Sequence, residues 1–342
     1  MSGKKKLGLL VLLAIAVVLL ACAWFMRPRE TKKIPIKVLI LPKFEVESLT
    51  GDFPGEAQLY YEAFLDGGEE YEITESGAKL YVKDGAALCV TGMGKVNAAV
   101  CTMAALTDER FDFSDAYIMS TGCAGSSEGY GVMGDVYVIS AAIDYDLGHR
   151  VDSTELTAGS ETTWFHDEEF DNAAVIFLDP DLTERVYDPV KDIPIKTTER
   201  TRAYMAAAFD GAEWAVRDPQ VLKGTTVTGD NYWKGEAGHS NALKMIEIYD
   251  CPDPYAATEM EDSSIGLVLK HLGMLDRYII IRDSVNMDVF MLGTTPESLW
   301  AAQEHELAAD STVESADIFR TAMENNFVVG NVIIQAILND EL

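Results

Sequence analysis

Apolar positions in this chain form one long run at the N-terminus and then a series of short runs broken by glycines and charges. Leu7 to Met26 carries no charged residue and follows Lys4, Lys5 and Lys6. About 20 helical residues rise roughly 30 Å, the thickness of a bilayer's hydrocarbon core. The pattern predicts one N-terminal hydrophobic helix acting as an uncleaved membrane anchor, with the lysines cytoplasmic and the rest of the chain outside the cytoplasm. Leu19-Leu20-Ala21-Cys22 leaves cleavage near Cys22 as the alternative, giving a secreted protein or lipoprotein. Later runs such as Val328 to Leu338 are too short to span, so one helix alone cannot form a transport pathway. Residues 1–33 are expected to be anchor and basic linker, and 34–342 one α/β domain.

Within that domain the runs alternate in kind. Ile36 to Leu41 reads as the first strand and Pro54 to Leu65 as a short helix. Ala78 to Val82 and Ala87 to Thr91 read as strands joined by a Lys83-Asp84-Gly85 turn, followed by a helix from Lys95 to Leu106. Ala116 to Ser120, Asp135 to Ile143 and Tyr278 to Arg282 are further strands. Ser153 to Asp192 is polar and turn-rich, a predicted insertion between core elements. Helices are predicted over Arg200 to Phe209, His239 to Tyr249, Ala256 to His271 and Pro296 to Met323. Strands alternating with helices predict a mixed or mainly parallel sheet covered on both faces.

Charge narrows the ligand. The formal net charge is −29, and beyond residue 33 only 20 Lys and Arg stand against 55 acids. Such a surface repels nucleic acid and suits a neutral small molecule better than a polyanion. Cys89, Cys101, Cys123 and Cys251 have neither CxxC nor metal-ligand spacing and read as small buried hydrophobes; no metal or cofactor is expected.

Four strings could carry chemistry. Thr91-Gly92-Met93-Gly94-Lys95 breaks a buried strand into a helix; Gly92 and Gly94 would let backbone approach a ligand, or simply make a tight turn. Ser120-Thr121-Gly122-Cys123-Ala124-Gly125 is a second glycine turn at a strand end, where open α/β sheets place their crevices. Thr258-Glu259-Met260-Glu261-Asp262 offers an apolar face beside a carboxylate, as a nucleoside needs; favourable charges at a helix start are the alternative. Arg282-Asp283 follows a nearly charge-free strand and could be a buried ion pair or part of a site.

In this order the strings resemble the nucleoside phosphorylase and nucleosidase superfamily, and Thr228 to Gly235 with the chain length resembles the purine nucleoside permease family. The resemblance implies a three-layer α/β/α nucleoside phosphorylase-like domain with a mixed central sheet. It also implies a purine nucleoside as ligand, with Gly92, Gly94, Thr121, Gly122 and Cys123 lining the site. Met260 and Glu261 would hold the ribose, and Asp283 would protonate the base. Acids follow the first strand where the phosphorylases carry cations, which disfavours inorganic phosphate and places Glu47 as the base for water. Tyr232 and Trp233 would stack on the purine or pack in the core.

The function so implied is nucleoside binding at the cell surface with hydrolysis of the N-glycosidic bond. The alternatives are a non-catalytic part of nucleoside uptake, which needs a multispan transport partner, and phosphate-dependent phosphorolysis. A homo-oligomer is among the expected assemblies.

Overall fold

The computed structural model describes residues 32–160, 162–298 and 313–342. The predicted anchor at 7–26, and the part of the predicted helix between 299 and 312, lie outside them. The principal strands are Val38–Leu41 (β1), Glu69–Glu72 (β2), Lys79–Lys83 (β3), Ala86–Leu88 (β4), Tyr117–Ser126 (β5), Val136–Asp144 (β6), Val175–Phe177 (β7), Val221–Thr228 (β8), Tyr255–Glu259 (β9) and Tyr278–Met287 (β10). The principal helices are Lys95–Thr107 (α1), Pro180–Tyr187 (α2), Glu199–Ala208 (α3), Glu236–Ile248 (α4), Asp262–Leu272 (α5) and Val313–Leu338 (α6).

Strand β1 is apolar and fully buried, which suits only a mid-sheet position; it pairs in parallel with β4 and β5. The ten strands form one mixed sheet ordered β7-β6-β8-β9-β5-β1-β4-β3-β2, and β10 pairs with both β5 and β6, so that half of the sheet curls on itself. The β3–β4 hairpin turns at Asp84 and Gly85, where φ is 49° and 87°, in keeping with the predicted turn. Helices cover both sides of β10: Arg282 reaches α5 while its neighbour Asp283 reaches α6, as the two-residue period of a strand requires. The largest core cluster joins β1, β4, β5, β6 and β10 to α2 and α6 through residues such as Ile40, Met119, Ile281, Val186 and Ile333.

Three expectations change. Tyr255–Glu259 is a strand, and the helix predicted from Ala256 begins only at Asp262. Alanine favours helix, but this segment is buried between β8 and β5, and ladder pairing outweighs its propensity. The preceding strand β8 is not marked by the sequence pattern because Lys223, Gly224, Thr225, Thr226 and Thr228 break its apolar run. The insertion predicted over 153–192 ends earlier than expected: β7 pairs with β6, and Leu182 and Val186 of α2 enter the core. Among the described residues no helix is long and apolar enough to cross a membrane.

Candidate functional site

The parallel strands β1, β5 and β10 run to the same side, and the loop after β1, the C-terminal ends of β5 and β10, the turn before α1, the loop after β8 and the junction of β9 with α5 enclose a cleft of about 670 Å³. That figure includes space open to solvent, and the part in which a water molecule can sit is about 150 Å³. Glu56, Glu261 and Arg282 form its charged part, and Met93, Met260 and Trp233 its apolar walls.

Arg282 is 1% exposed and holds three acids. Its Nε and Nη2 donate to Asp262 at 2.8 and 2.7 Å, and Nη2 also reaches Glu259 at 3.0 Å and Glu261 at 3.1 Å. Burial pushes the Asp262 carboxyl up, but the guanidinium outweighs it and holds the group below its usual range. Glu259 goes the other way: burial, then the Asp262 charge, push it up to about 8. Its Oε2 accepts from Glu261 N at 2.6 Å and Asp262 N at 2.8 Å, so Glu259 anchors the start of α5 and thereby the position of Glu261.

Beneath the cleft, Lys43 Nζ donates to Leu41 O, Ser120 Oγ and Thr121 O at 2.6, 2.7 and 3.0 Å. Burial, reinforced by Arg282, lowers its pKa. Both cations lining the cleft are therefore engaged by protein groups.

The glycine turns hold acids. Gly94 N donates to Glu261 Oε1 at 2.9 Å and Lys95 N to Asp230 Oδ1 at 2.8 Å, so the N-terminus of α1 is filled by the protein's own carboxylates. Gly92 and Gly94 have φ of 82° and 88°, the left-handed conformation that favours glycine. At Gly122 a Cβ would sit 2.5 Å from Glu56 Oε1, so only glycine admits that carboxylate. Glu56 accepts from Lys43 N at 2.7 Å and Cys123 N at 2.8 Å, and burial raises its pKa.

The site brings together Gly94, Cys123, Tyr232, Trp233, Met260 and Glu261 from the sequence expectations. Gly92 shapes the turn behind them, and Thr121 points away, its Oγ1 donating to Asn326 Oδ1 at 2.6 Å. Tyr232 is 66% exposed at the rim and accepts from Asn286 Nδ2 at 2.6 Å, while Trp233 stacks on Tyr145 with ring centroids 4.9 Å apart.

Two expected catalytic residues are not part of the cleft. Glu47 lies on the exposed part of its loop, because Glu45 turns inward to accept from Gly55, Ala57 and Gln58 backbone N–H groups and Glu56 takes the inner place. Asp283 faces α6, where its Oδ1 accepts from Asn326 Nδ2 at 2.7 Å and its Oδ2 has no hydrogen-bond partner among the described residues. A register shift after Ser284 turns Val285 and Asn286 into the cleft instead. Sequence reasoning passed over Glu56, Asn286 and Lys43; the signals were an acid after Pro54-Gly55 at a helix start and an amide four residues beyond Arg282.

Burial raises the Asp283 pKa well above the ordinary value, with the charge of Glu56 adding to it. A raised folded pKa means that stability is full below the usual carboxylate range and declines as pH rises through the folded value. Asp283→Asn is therefore expected to flatten the pH dependence of stability above the usual carboxylate range and to leave nucleoside affinity within about threefold, since the side chain is outside the cleft. Melting curves across pH with a binding titration check this; loss of binding in a folded variant would return Asp283 to the site.

A family model for the purine nucleoside permeases matches residues 35–341. A Schizosaccharomyces pombe protein named as a probable purine nucleoside permease is 25% identical over 221 residues, 58% of this chain. The chain spans 63% of that relative's length. Among solved structures, the 5′-methylthioadenosine/S-adenosylhomocysteine nucleosidase of Colwellia psychrerythraea, in complex with adenine, superposes with a TM-score of 0.52 at 19% identity, over 90% of this chain and 97% of its own. The Streptococcus pneumoniae nucleosidase bound to 8-aminoadenine gives 0.52 at 15%, over 90% and 100%. These likenesses concern the fold.

Proposed function

Because the chain belongs to the purine nucleoside permease family, and its cleft sets one fixed carboxylate beside an apolar wall, we propose that it binds a purine nucleoside and cleaves the N-glycosidic bond with water. The observation that carries this reading is Glu261, held between Gly94 N and Arg282 next to Met260. A carboxylate so oriented can accept from two ribose hydroxyls while Met260 packs on the sugar. Glu56, rather than Glu47, would take the proton from the attacking water. Arg282 would stabilise the water and the neighbouring acids, and Asn286 with Tyr232 would meet the base. An amide cannot release a proton at neutral pH, so Asn286 would only hydrogen-bond the departing purine, which would leave as its anion and take its proton from solvent.

That last point favours a second reading, in which the cleft binds nucleoside without turnover as a component of uptake and passes it to a multispan partner. Phosphorolysis is the weaker alternative, since the α1 N-terminus and both cleft cations are already occupied. Incubating residues 34–342 with inosine, adenosine and guanosine, with and without phosphate, separates the three. Base release independent of phosphate supports hydrolysis, phosphate-dependent release supports phosphorolysis, and binding without release supports the uptake role.

Glu261→Gln keeps the size of the side chain and removes the charge that accepts hydroxyl protons. The expected loss is at least ~10-fold in nucleoside affinity or turnover, the scale of one charge-assisted hydrogen bond. Unchanged titrations in a folded variant would reduce the Met260-Glu261 string to a helix start.

The proposed location is the outer face of a membrane, through residues 7–26. Protease added to intact cells should then remove the domain, and a protected domain would overturn this placement.

A further inference from the structure

Lys95 opens α1 directly after Met93 and Gly94, and its side chain is not part of the cleft lining. Its Nζ lies 2.8 Å from Asp144 Oδ1 and 2.8 Å from Asp146 Oδ2, at and just beyond the end of β6. The same Nζ is 4.0 Å from Asp230 Oδ2, in the loop after β8. Asp230 Oδ1 accepts from Lys95 N at 2.8 Å, and Asp146 Oδ2 accepts from Asp230 N at 2.8 Å. One lysine therefore closes a ring that joins the start of α1, the end of β6 and the loop after β8.

Both flanks of the cleft begin at this ring. On one side Met93 and the Gly94 N–H that fixes Glu261 immediately precede Lys95. On the other, Asn231, Tyr232 and Trp233 immediately follow Asp230. Backbone bonding holds the chain after β8 as far as Gly229, whose N donates to Glu259 O at 2.9 Å. From Asp230 onward the side chains of the ring take over. The Lys95 and Asp144 side chains are only 15% and 13% exposed, so water and salt screen their pairing far less than that of a surface ion pair. Burial lowers the Lys95 pKa, but Asp144 and Asp146 outweigh it and hold the ammonium above its ordinary value.

We propose that Lys95 is a positioning residue for the ligand: it clasps the two flanks of the cleft and keeps Met93 and Tyr232–Trp233 at the spacing that a bound nucleoside requires. The proposal rests on the reading that the cleft takes a nucleoside, and not on whether that nucleoside is cleaved. Without the lysine, Asp144, Asp146 and Asp230 would face one another with no cation between them. Asp230, the most exposed of the three, would move outward and draw the loop with it.

The test uses the full chain and two measurements, amide exchange without ligand and titration with inosine. Lys95→Met should speed exchange over residues 93–95 and 230–233 and weaken inosine binding by about 10-fold, the scale of a lost charge-assisted contact. Lys95→Arg, which keeps the charge, should restore both. Adding Asp144→Asn to Lys95→Met should recover part of each, because one uncompensated charge is removed. If Lys95→Met does not fold, Asp230→Ala, at an exposed position, cuts the same link and should speed exchange over residues 231–233. Exchange over that loop unchanged in these variants, or an arginine variant as loose as the methionine one, would overturn the proposal. A wild-type chain that binds no inosine, adenosine or guanosine would count against the nucleoside reading, while the exchange effects by themselves would still support the clasp.

Discussion

Glu56→Gln is expected to slow purine release by roughly 10²- to 10⁴-fold, the scale of a lost general base, while nucleoside affinity changes far less. The carboxylate lines the cleft, its two oxygens are aimed by Lys43 N and Cys123 N, and Gly122 leaves it the space. Burial raises its pKa, which brings a carboxylate towards the range in which a base works best near neutral pH. The sign follows directly: a base acts when deprotonated, so activity should fall as pH drops through this raised value, above the usual carboxylate range. The variant should lack that acid limb. A pH profile of base release from inosine for wild type and variant, with affinity measured separately, checks both points. If wild type turns over and the variant matches it at every pH, Glu56 is not the base; Glu47→Gln, on the exposed loop, should change neither quantity.

Arg282→Met should be the most damaging single change to stability, by roughly 3–5 kcal/mol, because one partner of a buried ion network is removed and the others remain. Asp262, Glu261 and Glu259 all lose their shared cation, and the three are 5% exposed or less. For a domain of this size the loss corresponds to a fall in Tm of about 10 °C. Asp262 has a depressed pKa in the folded protein, so its contribution is present above the ordinary carboxylate range and is lost as pH falls through the folded value. The deficit of the variant should therefore be largest near neutral pH and shrink under acid conditions. Thermal and urea unfolding at several pH values measure it. A pH-independent deficit would mean that the cost is lost packing of the arginine stem and not uncompensated charge.

Much of the site was legible because its strings are local. A glycine pair at a strand end and an acid after a methionine act through the backbone beside them, and Gly92, Gly94, Met260 and Glu261 all fall at or behind the cleft. Alternation along β10 is equally local, and it separates Arg282 from Asp283 without any knowledge of the partners. What sequence could not decide was which of several equivalent acids turns inward. Glu45, Glu47 and Glu56 are alike as residues, and the choice among them rests on Glu45 capping the Gly55–Gln58 backbone and on the gap at Gly122, both long-range contacts. The same holds where a one-residue shift in β10 brings Asn286 into the cleft.

Sequence alone therefore determined that a strand-and-helix domain carries two glycine turns and a Met-Glu string, since periodicity and turn chemistry are written within a few residues. Only the tertiary structure decided that Tyr255–Glu259 is a strand, that Asp283 faces α6, and that Glu56 and Asn286 complete the cleft. Each of those outcomes depends on groups far apart in the chain competing for the same buried hydrogen bonds, and no local pattern records which of them wins.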